Sequence, residues 1–170
     1  MKKLLSLCLL LLTTIAGWAQ DPEPTTFIDG DLTYTVTDDE AKTVSVKATS
    51  TSVTGDLVIP SSVTNEDVTY SVTRIEAEAF KSSSITSVSI PASVLTIGNE
   101  AFNFINALVS VRIEDGDTPL TLENNYYGAF QNGDSWGVHY TKTIYLGRNI
   151  VTSVENRSCT EFNTVEELND

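Results

Sequence analysis

The sequence predicts a mostly-β protein, a short solenoid of repeated units preceded by a β-hairpin that caps its first unit. Two observations predict this fold. Segments rich in Thr and Val alternate apolar and polar residues with the period of a β-strand. Short motifs also recur along the chain at spacings near 22 residues, and such a period is typical of solenoid repeats.

Residues 1–19 have the pattern of a secretory signal peptide. Met1-Lys2-Lys3 gives a positive start, a mostly apolar run follows, and small residues at Gly17 and Ala19 suit cleavage after residue 19. Cleavage after Gln20 is the alternative. The apolar run is shorter than the roughly 20 residues that a spanning helix needs, so we expect no transmembrane segment in the mature chain. The protein is therefore expected to be secreted or held at the cell surface, with the periplasm as an alternative.

The expected mature chain is strongly acidic. Removal of residues 1–19 takes away Lys2 and Lys3, so the net charge changes from −13 to −15. Such a charge repels phosphate backbones, which argues against a nucleic-acid partner. Only Cys159 survives cleavage, so a monomer has no intramolecular disulfide. The sequence carries no signal for an oligomeric state.

Two segments precede the repeats. Residues 20–26 are interpreted as a loose leader, because two prolines in four residues oppose regular pairing. Residues 27–52 are predicted to form the N-terminal β-hairpin, which covers the otherwise wet apolar end of the solenoid. Its strands alternate with period two and flank a run of turn formers. The strands are Leu32–Thr37 and Val44–Ala48, and the turn is 38–42.

The solenoid is predicted over residues 53–150, where two motifs recur at different spacings. One recurs after 22 residues and the other after 31. They are Ile75–Phe80 with Ile97–Phe102, and Ile59–Val63 with Ile90–Val94. The difference of nine residues places an insertion around 64–72. The core of this insertion alternates, so it is able to pair as an extra strand.

A third unit and a degenerate fourth follow. Matching segments lie 23 and 28 residues after their counterparts. They join Ser87–Ile90 to Ser110–Ile113, and Ala101-Phe102 to Ala129-Phe130. The longer spacing predicts an insertion at 115–119, and Thr143–Leu146 is predicted to be the strand of the fourth unit. Residues 151–170 are a C-terminal segment that is read either as a terminus or as a truncated repeat.

These motifs resemble the BspA-type leucine-rich repeats of bacterial surface and secreted proteins. The shared order is Ile-Pro-x-Ser-Val, then Ile-Gly-x-x-Ala-Phe, then Leu/Ile-x-x-Val-x-Ile, and it is matched best by residues 85–113. The resemblance implies a leucine-rich-repeat-like solenoid and, for some members, adhesion to host or neighbouring-cell proteins. It implies no particular ligand. The chain departs from the family in two ways. Its array is short, and Lys81–Ser84 and Asn103–Asn106 follow the Ala-Phe pairs, where the family often has a cysteine.

The sequence shows no catalytic, cofactor or metal site, so we do not expect an enzyme. His139 is the only histidine, whereas a nucleophilic triad needs one beside its Ser or Cys and zinc needs several His/Cys ligands. The acidic run 114–117 lacks the order of a calcium loop. Glu78 and Glu100 occupy equivalent repeat positions and are expected to form a solvated ladder. The alternative is a carboxylate pair of a glycosidase-like enzyme.

Aromatic residues near the longest insertion are the candidate ligand-binding residues. They are Tyr126, Tyr127, Trp136 and Tyr140. Aromatic residues beside flexible polar residues suit a contact surface. The alternative is that the same four residues cap the end of the solenoid or fill a wider core, and this alternative is preferred. The preferred function is an exported, non-catalytic binding or adhesion-type protein that contacts an extracellular protein or glycan without a cofactor. The alternatives are a structural spacer or truncated repeat fragment and, less favoured, the glycosidase-like enzyme.

Overall fold

A computed structural model describes residues 24–123, 129–130, 133–134, 137–138, 143–152 and 164–167 of the chain. In these residues the backbone forms strands and turns and no helix. The strands are β1 (Thr26–Asp29), β2 (Leu32–Asp38), β3 (Thr43–Ala48), β4 (Thr54–Val58), β5 (Ser62–Asn65), β6 (Val68–Ile75), β7 (Ser84–Ile90), β8 (Thr96–Ile97), β9 (Ser110–Ile113), β10 (Leu120–Leu122), β11 (Gly133–Asp134), β12 (Gly137–Val138), β13 (Thr143–Leu146), β14 (Ile150–Thr152) and β15 (Thr164–Glu167).

Two sheets form the solenoid, and the chain alternates between them. Sheet A has the strand order β1-β2-β3-β6-β8-β10-β14, with β5 also paired to β6, and sheet B has the order β4-β7-β9-β13-β15. Sheet B is parallel throughout, and sheet A is parallel from β3 to β14. One strand of sheet B and the next strand of sheet A make one coil: β4 with β6, β7 with β8, β9 with β10, and β13 with β14. This architecture confirms the predicted mostly-β solenoid.

The core lies between the two sheets and is completed by a column of phenylalanines. In β7, Val88 and Ile90 are buried, whereas Ser89 between them is only partly covered. Phe80, Phe102 and Phe130 stack ring on ring, with centroids 5.2 and 5.0 Å apart and planes within 10° of parallel. These distances match the spacing of neighbouring strands, about 4.8 Å, so each coil adds one ring to the column.

The segment between each sheet A strand and the next sheet B strand is irregular, yet its backbone pairs from coil to coil. The amide of Glu78 donates to Asn99 O at 2.9 Å, and the amide of Phe80 donates to Ala101 O at 2.7 Å. Glu78 and the equivalent Glu100 both have φ of 56°. This left-handed conformation directs the amides along the solenoid axis, so backbone groups outside the strands are also satisfied.

An antiparallel cap closes the N-terminal end of the solenoid. β2 and β3 form the predicted hairpin, and β3 also pairs in parallel with β6. β1 adds a third strand that the sequence did not predict, and Thr25 O, in the predicted leader, accepts from the amide of Val36 at 2.8 Å. Phe27 stacks on Tyr34 at 5.4 Å. Burial, assisted by the charge of Asp29, raises the pKa of Tyr34 to about 12.

The predicted insertion in the first coil is a second hairpin. β5 pairs antiparallel with the first half of β6, while Arg74 and Ile75 in its second half pair with β8. The extra strand and the repeat strand are therefore one continuous element. The two residues of its turn, Glu66 and Asp67, have φ of 47° and 65°, as in a type I′ turn.

Two arginines join coils that are not neighbours. Arg148 follows β13 and donates to Ala92 O at 2.7 Å and to Pro91 O at 3.1 Å, both at the end of β7. Burial lowers the pKa of Arg148, against the opposing charge of Glu114. On the other side of the solenoid, Arg74 forms a two-pronged ion pair with Glu123, beyond β10. Each contact passes over an intervening coil.

Several predicted segments lie wholly or largely outside the described residues. Residues 1–19 are among them, as is most of the leader. The predicted fourth strand is present as β13, with the bounds that the sequence indicated. Within residues 151–170, β15 pairs in parallel with β13 and adds a further strand to sheet B.

Candidate functional site

The outer face of sheet B carries a groove of about 310 Å³. Strand register aligns equivalent positions of successive coils, so outward side chains form rows across the strands. One row runs through Val58, Ser89, Arg112 and Tyr145, and the neighbouring row runs through Asp56, Ser87 and Ser110. These seven residues line the groove together with Leu57 and Val88.

Asp56 lies at one end of the groove, on the edge strand β4. Its Oδ1 accepts hydrogen bonds from Ser87 Oγ at 2.7 Å and from Thr86 Oγ1 at 2.9 Å. These donors, Ser87 first, lower the pKa of the Asp56 carboxyl, so the group is an anion at neutral pH. Thr86 is the extra residue of a bulge, because Gly55 pairs with Ile85 and Asp56 with Ser87.

The rest of the groove combines small hydroxyl groups with larger side chains. Ser89 and Ser110 have no hydrogen bond to their side chains among the described residues. Val58 is 68% exposed, although it lies in a strand, so an apolar surface borders the serines. Arg112 is exposed and Tyr145 is partly buried. Such a surface offers hydrogen bonds, one positive charge and apolar contact, which are means of binding a ligand.

Glu78 and Glu100, the candidate carboxylate pair, are bridged by one lysine. Lys81 Nζ lies 2.6 Å from a carboxylate oxygen of each glutamate. The hydrogen bond from Lys81 lowers the pKa of Glu100, with help from Asn103. A glycosidase acid needs a raised pKa and an open position beside it, so this arrangement favours an ion-paired ladder over the glycosidase-like alternative.

The described residues give few other sites. No group of three or more His, Cys, Asp or Glu side chains in this part of the chain is placed to hold a metal ion. Glu114, Asp115 and Asp117 of the acidic run are exposed. In the same residues no helix is long and apolar enough to cross a membrane.

The candidate aromatic residues are not among those that the structure describes. This applies to Tyr126, Tyr127, Trp136 and Tyr140, and also to His139 and Cys159. The groove was missed at the sequence level, although a signal for it exists. Aligning the units at a spacing of 23 places Ser87 over Ser110 and Ser89 over Arg112, at the outward positions of the Ile-x-x-Val-x-Ile strand.

The comparisons with known proteins agree with the repeat architecture. A family model described as the BspA type leucine-rich repeat region, in six copies, matches residues 73–157, half of the chain. The chain belongs to the BspA-type leucine-rich repeat family. The resemblance indicated by its motifs is thus confirmed. No curated protein matches this BspA-type chain.

Two solved structures are similar to this BspA-type chain. A leucine-rich repeat protein from Bacteroides capillosus is 27% identical with a TM-score of 0.62, and the match covers 85% of this chain and 99% of that one. A leucine-rich cell surface protein from Faecalibacterium prausnitzii is 20% identical with a TM-score of 0.54, over 86% of this chain and 43% of that one. The second likeness concerns the fold alone.

Proposed function

We propose that the chain is an exported, non-catalytic binding protein of adhesion type, which contacts an extracellular protein or glycan through the outer face of sheet B. The observation that carries this proposal is the groove of about 310 Å³ on that face. Its volume lies at the small end of ligand sites, roughly 300–1,000 Å³. Apart from Leu57 and Val88, its residues lie outside the buried core, so the fold does not require their identity.

Two observations support export. Residues 1–19 have the charge and apolar pattern of a signal peptide. The similar structure from Faecalibacterium prausnitzii is that of a cell surface protein. A surface or secreted location brings the groove into contact with proteins and glycans outside the cell.

The four aromatic residues of the sequence analysis are proposed as a second contact area. Tyr126, Tyr127, Trp136 and Tyr140 lie between β10 and β13 in the sequence, and β13 carries Tyr145 of the groove. Replacement of all four by alanine tests their part separately from that of the sheet.

A pair of matched substitutions tests the groove. Ser89→Tyr places a ring in the groove, whereas Thr121→Tyr makes a similar change on sheet A, where Thr121 pairs with Thr96. Binding of the mature protein to matrix proteins and to a glycan array is measured for both variants, with circular dichroism as the folding control. We expect Ser89→Tyr to lose binding and Thr121→Tyr to keep it. Equal binding by Ser89→Tyr and the native protein would refute a role for the groove.

A further inference from the structure

Arg112 is the one basic side chain among the described residues that has no partner. The structure describes six basic residues, and the other five are held by acidic groups or carbonyl oxygens. Their partners are Asp39 for Lys42, Glu76 for Lys47, Glu123 for Arg74, Glu78 and Glu100 for Lys81, and backbone carbonyls for Arg148. In a chain with a net charge of −13, an exposed arginine without a carboxylate is the exception that needs an explanation.

The groups around Arg112 favour a bound ligand as its partner over another side chain of the described residues. In the register of sheet B, Arg112 lies between Ser89 of β7 and Tyr145 of β13. The one carboxylate in the described lining of the groove is that of Asp56, and it already accepts hydrogen bonds from Ser87 and Thr86. The guanidinium therefore contributes the one positive charge in the described lining of the groove, where Ser89, Ser110 and Tyr145 supply hydroxyl groups and a phenol ring.

The combination of groups selects a class of ligand. A guanidinium presents planar, paired N–H donors that match the geometry of a carboxylate. The hydroxyls of Ser89 and Ser110 both donate and accept hydrogen bonds, as suits the hydroxyls of a sugar. The phenol ring of Tyr145 and the exposed side chain of Val58 provide apolar surface for the face of a sugar ring.

The volume of the groove and the net charge of the chain narrow the class of ligand further. A groove of about 310 Å³ suits a small group, whereas a standard protein interface buries about 1,600 Å² in total. The net charge of −13 repels a polyanion, whereas the contact of a single carboxylate with Arg112 remains favourable. Acidic peptides and polyuronates are therefore disfavoured relative to a neutral glycan with one acidic end.

We propose that the groove binds the terminus of a glycan that carries one carboxylate, with Arg112 paired to that carboxylate and Ser89 and Ser110 bonded to sugar hydroxyls. This inference rests on the proposed function, because it names the ligand class of the same groove.

Titration of the mature protein with four probes tests the inference. The probes are sialyllactose, a glucuronate-terminated disaccharide, lactose and a glutamate-rich peptide. We expect at least one acidic sugar to bind, with an affinity at least about tenfold above those of lactose and the peptide. Arg112→Gln should lose about tenfold or more of that affinity, and Arg112→Lys should lose less. Lys47→Gln also removes one positive charge, but from the outer side of sheet A, and this variant should bind the acidic sugar as the native protein does.

The outcomes separate this inference from the proposed function. If neither acidic sugar binds, if lactose or the peptide binds as well, or if Arg112→Gln retains full affinity, the inference is overturned. In each of these cases the groove keeps its proposed role if Ser89→Tyr abolishes the binding of a ligand found on the glycan array. If Ser89→Tyr and Arg112→Gln both bind every ligand as the native protein does, both proposals fail.

Discussion

Gly98 lies where the backbones of neighbouring coils leave no space for a side chain. A Cβ atom built on this residue would lie 2.3 Å from Ala77 N and 2.7 Å from Ala77 Cα. These are backbone atoms, so relief requires the coils to move apart rather than a side chain to rotate. The close approach explains the glycine of the Ile-Gly-x-x-Ala-Phe motif in physical terms.

We therefore predict that Gly98→Ala destabilises the protein by at least about 1–3 kcal/mol, the usual cost of overpacking. Gly55→Ala is the comparison, because its Cβ would meet nothing within 4 Å and only its φ of 75° is unfavourable. That strain costs about 1 kcal/mol. Urea unfolding measures both variants, and equal losses would contradict the steric explanation.

The turn of the β5–β6 hairpin is occupied by residues that fit it poorly. Glu66 and Asp67 both have positive φ, and a type I′ turn prefers Asn-Gly at these two positions. We predict that Glu66→Asn with Asp67→Gly raises the free energy of unfolding by about 1 kcal/mol, because the strain of two left-handed residues is relieved. An unchanged urea midpoint would mean that the turn carries no such strain.

Glu100 should make stability depend on pH in the acid range. Its pKa is lowered in the folded state by the hydrogen bond from Lys81, so the unfolded chain binds the proton first as the pH falls. The stabilisation is present above the ordinary pKa of 4.5 and is lost as the pH falls through the lower folded-state value. Glu100→Gln should therefore flatten the loss of stability below pH 4.5. A Glu100→Gln variant that loses stability below pH 4.5 as steeply as the native protein would contradict this origin of the pH dependence.

At the scale of elements, the column of stacked phenylalanines ties the coils together. Phe102 is fully buried and contacts rings on both sides, Phe80 and Phe130. We predict that Phe102→Ala lowers the free energy of unfolding by about 3–5 kcal/mol. Phe104→Ala is the matched control, because Phe104 is 46% exposed and its removal should cost far less. Thermal unfolding distinguishes the two, and a similar loss in both would argue against the column.

The elements also differ in how far the sequence could predict them. β2, β3 and β13 were predictable because their apolar residues alternate or recur. β1 was not, because it has only four residues and its Ile28 is 62% exposed, so no alternation marks it. The groove required the register between strands, since Ser89, Arg112 and Tyr145 are 23 and 33 residues apart in the sequence and carry no motif of known chemistry.

For the whole molecule, the N-terminal cap and the solenoid share one sheet. Val44 and Val46 of β3 are fully buried, and β3 pairs with β6 of the first coil. We predict that a chain starting at residue 53 does not fold cooperatively, because the first coil would expose its apolar face and the backbone edge of β6. Circular dichroism melting compares it with the chain starting at residue 20. A sharp transition of the shorter chain at the native temperature would show that the cap is dispensable.

The two arginine contacts that pass over an intervening coil bear on how this array can change during evolution. Repeat proteins commonly gain or lose single units by duplication and deletion, which is tolerated when each unit touches only its neighbours. Loss of the coil between Ala92 and Arg148 would leave Arg148, a residue that is only 8% exposed, out of register with the carbonyl oxygens that it binds. Gain of a coil between Arg74 and Glu123 would separate their charges in the same way. The number of coils in this part of the chain is therefore constrained by side chains, whereas the backbone repeat alone would allow it to vary.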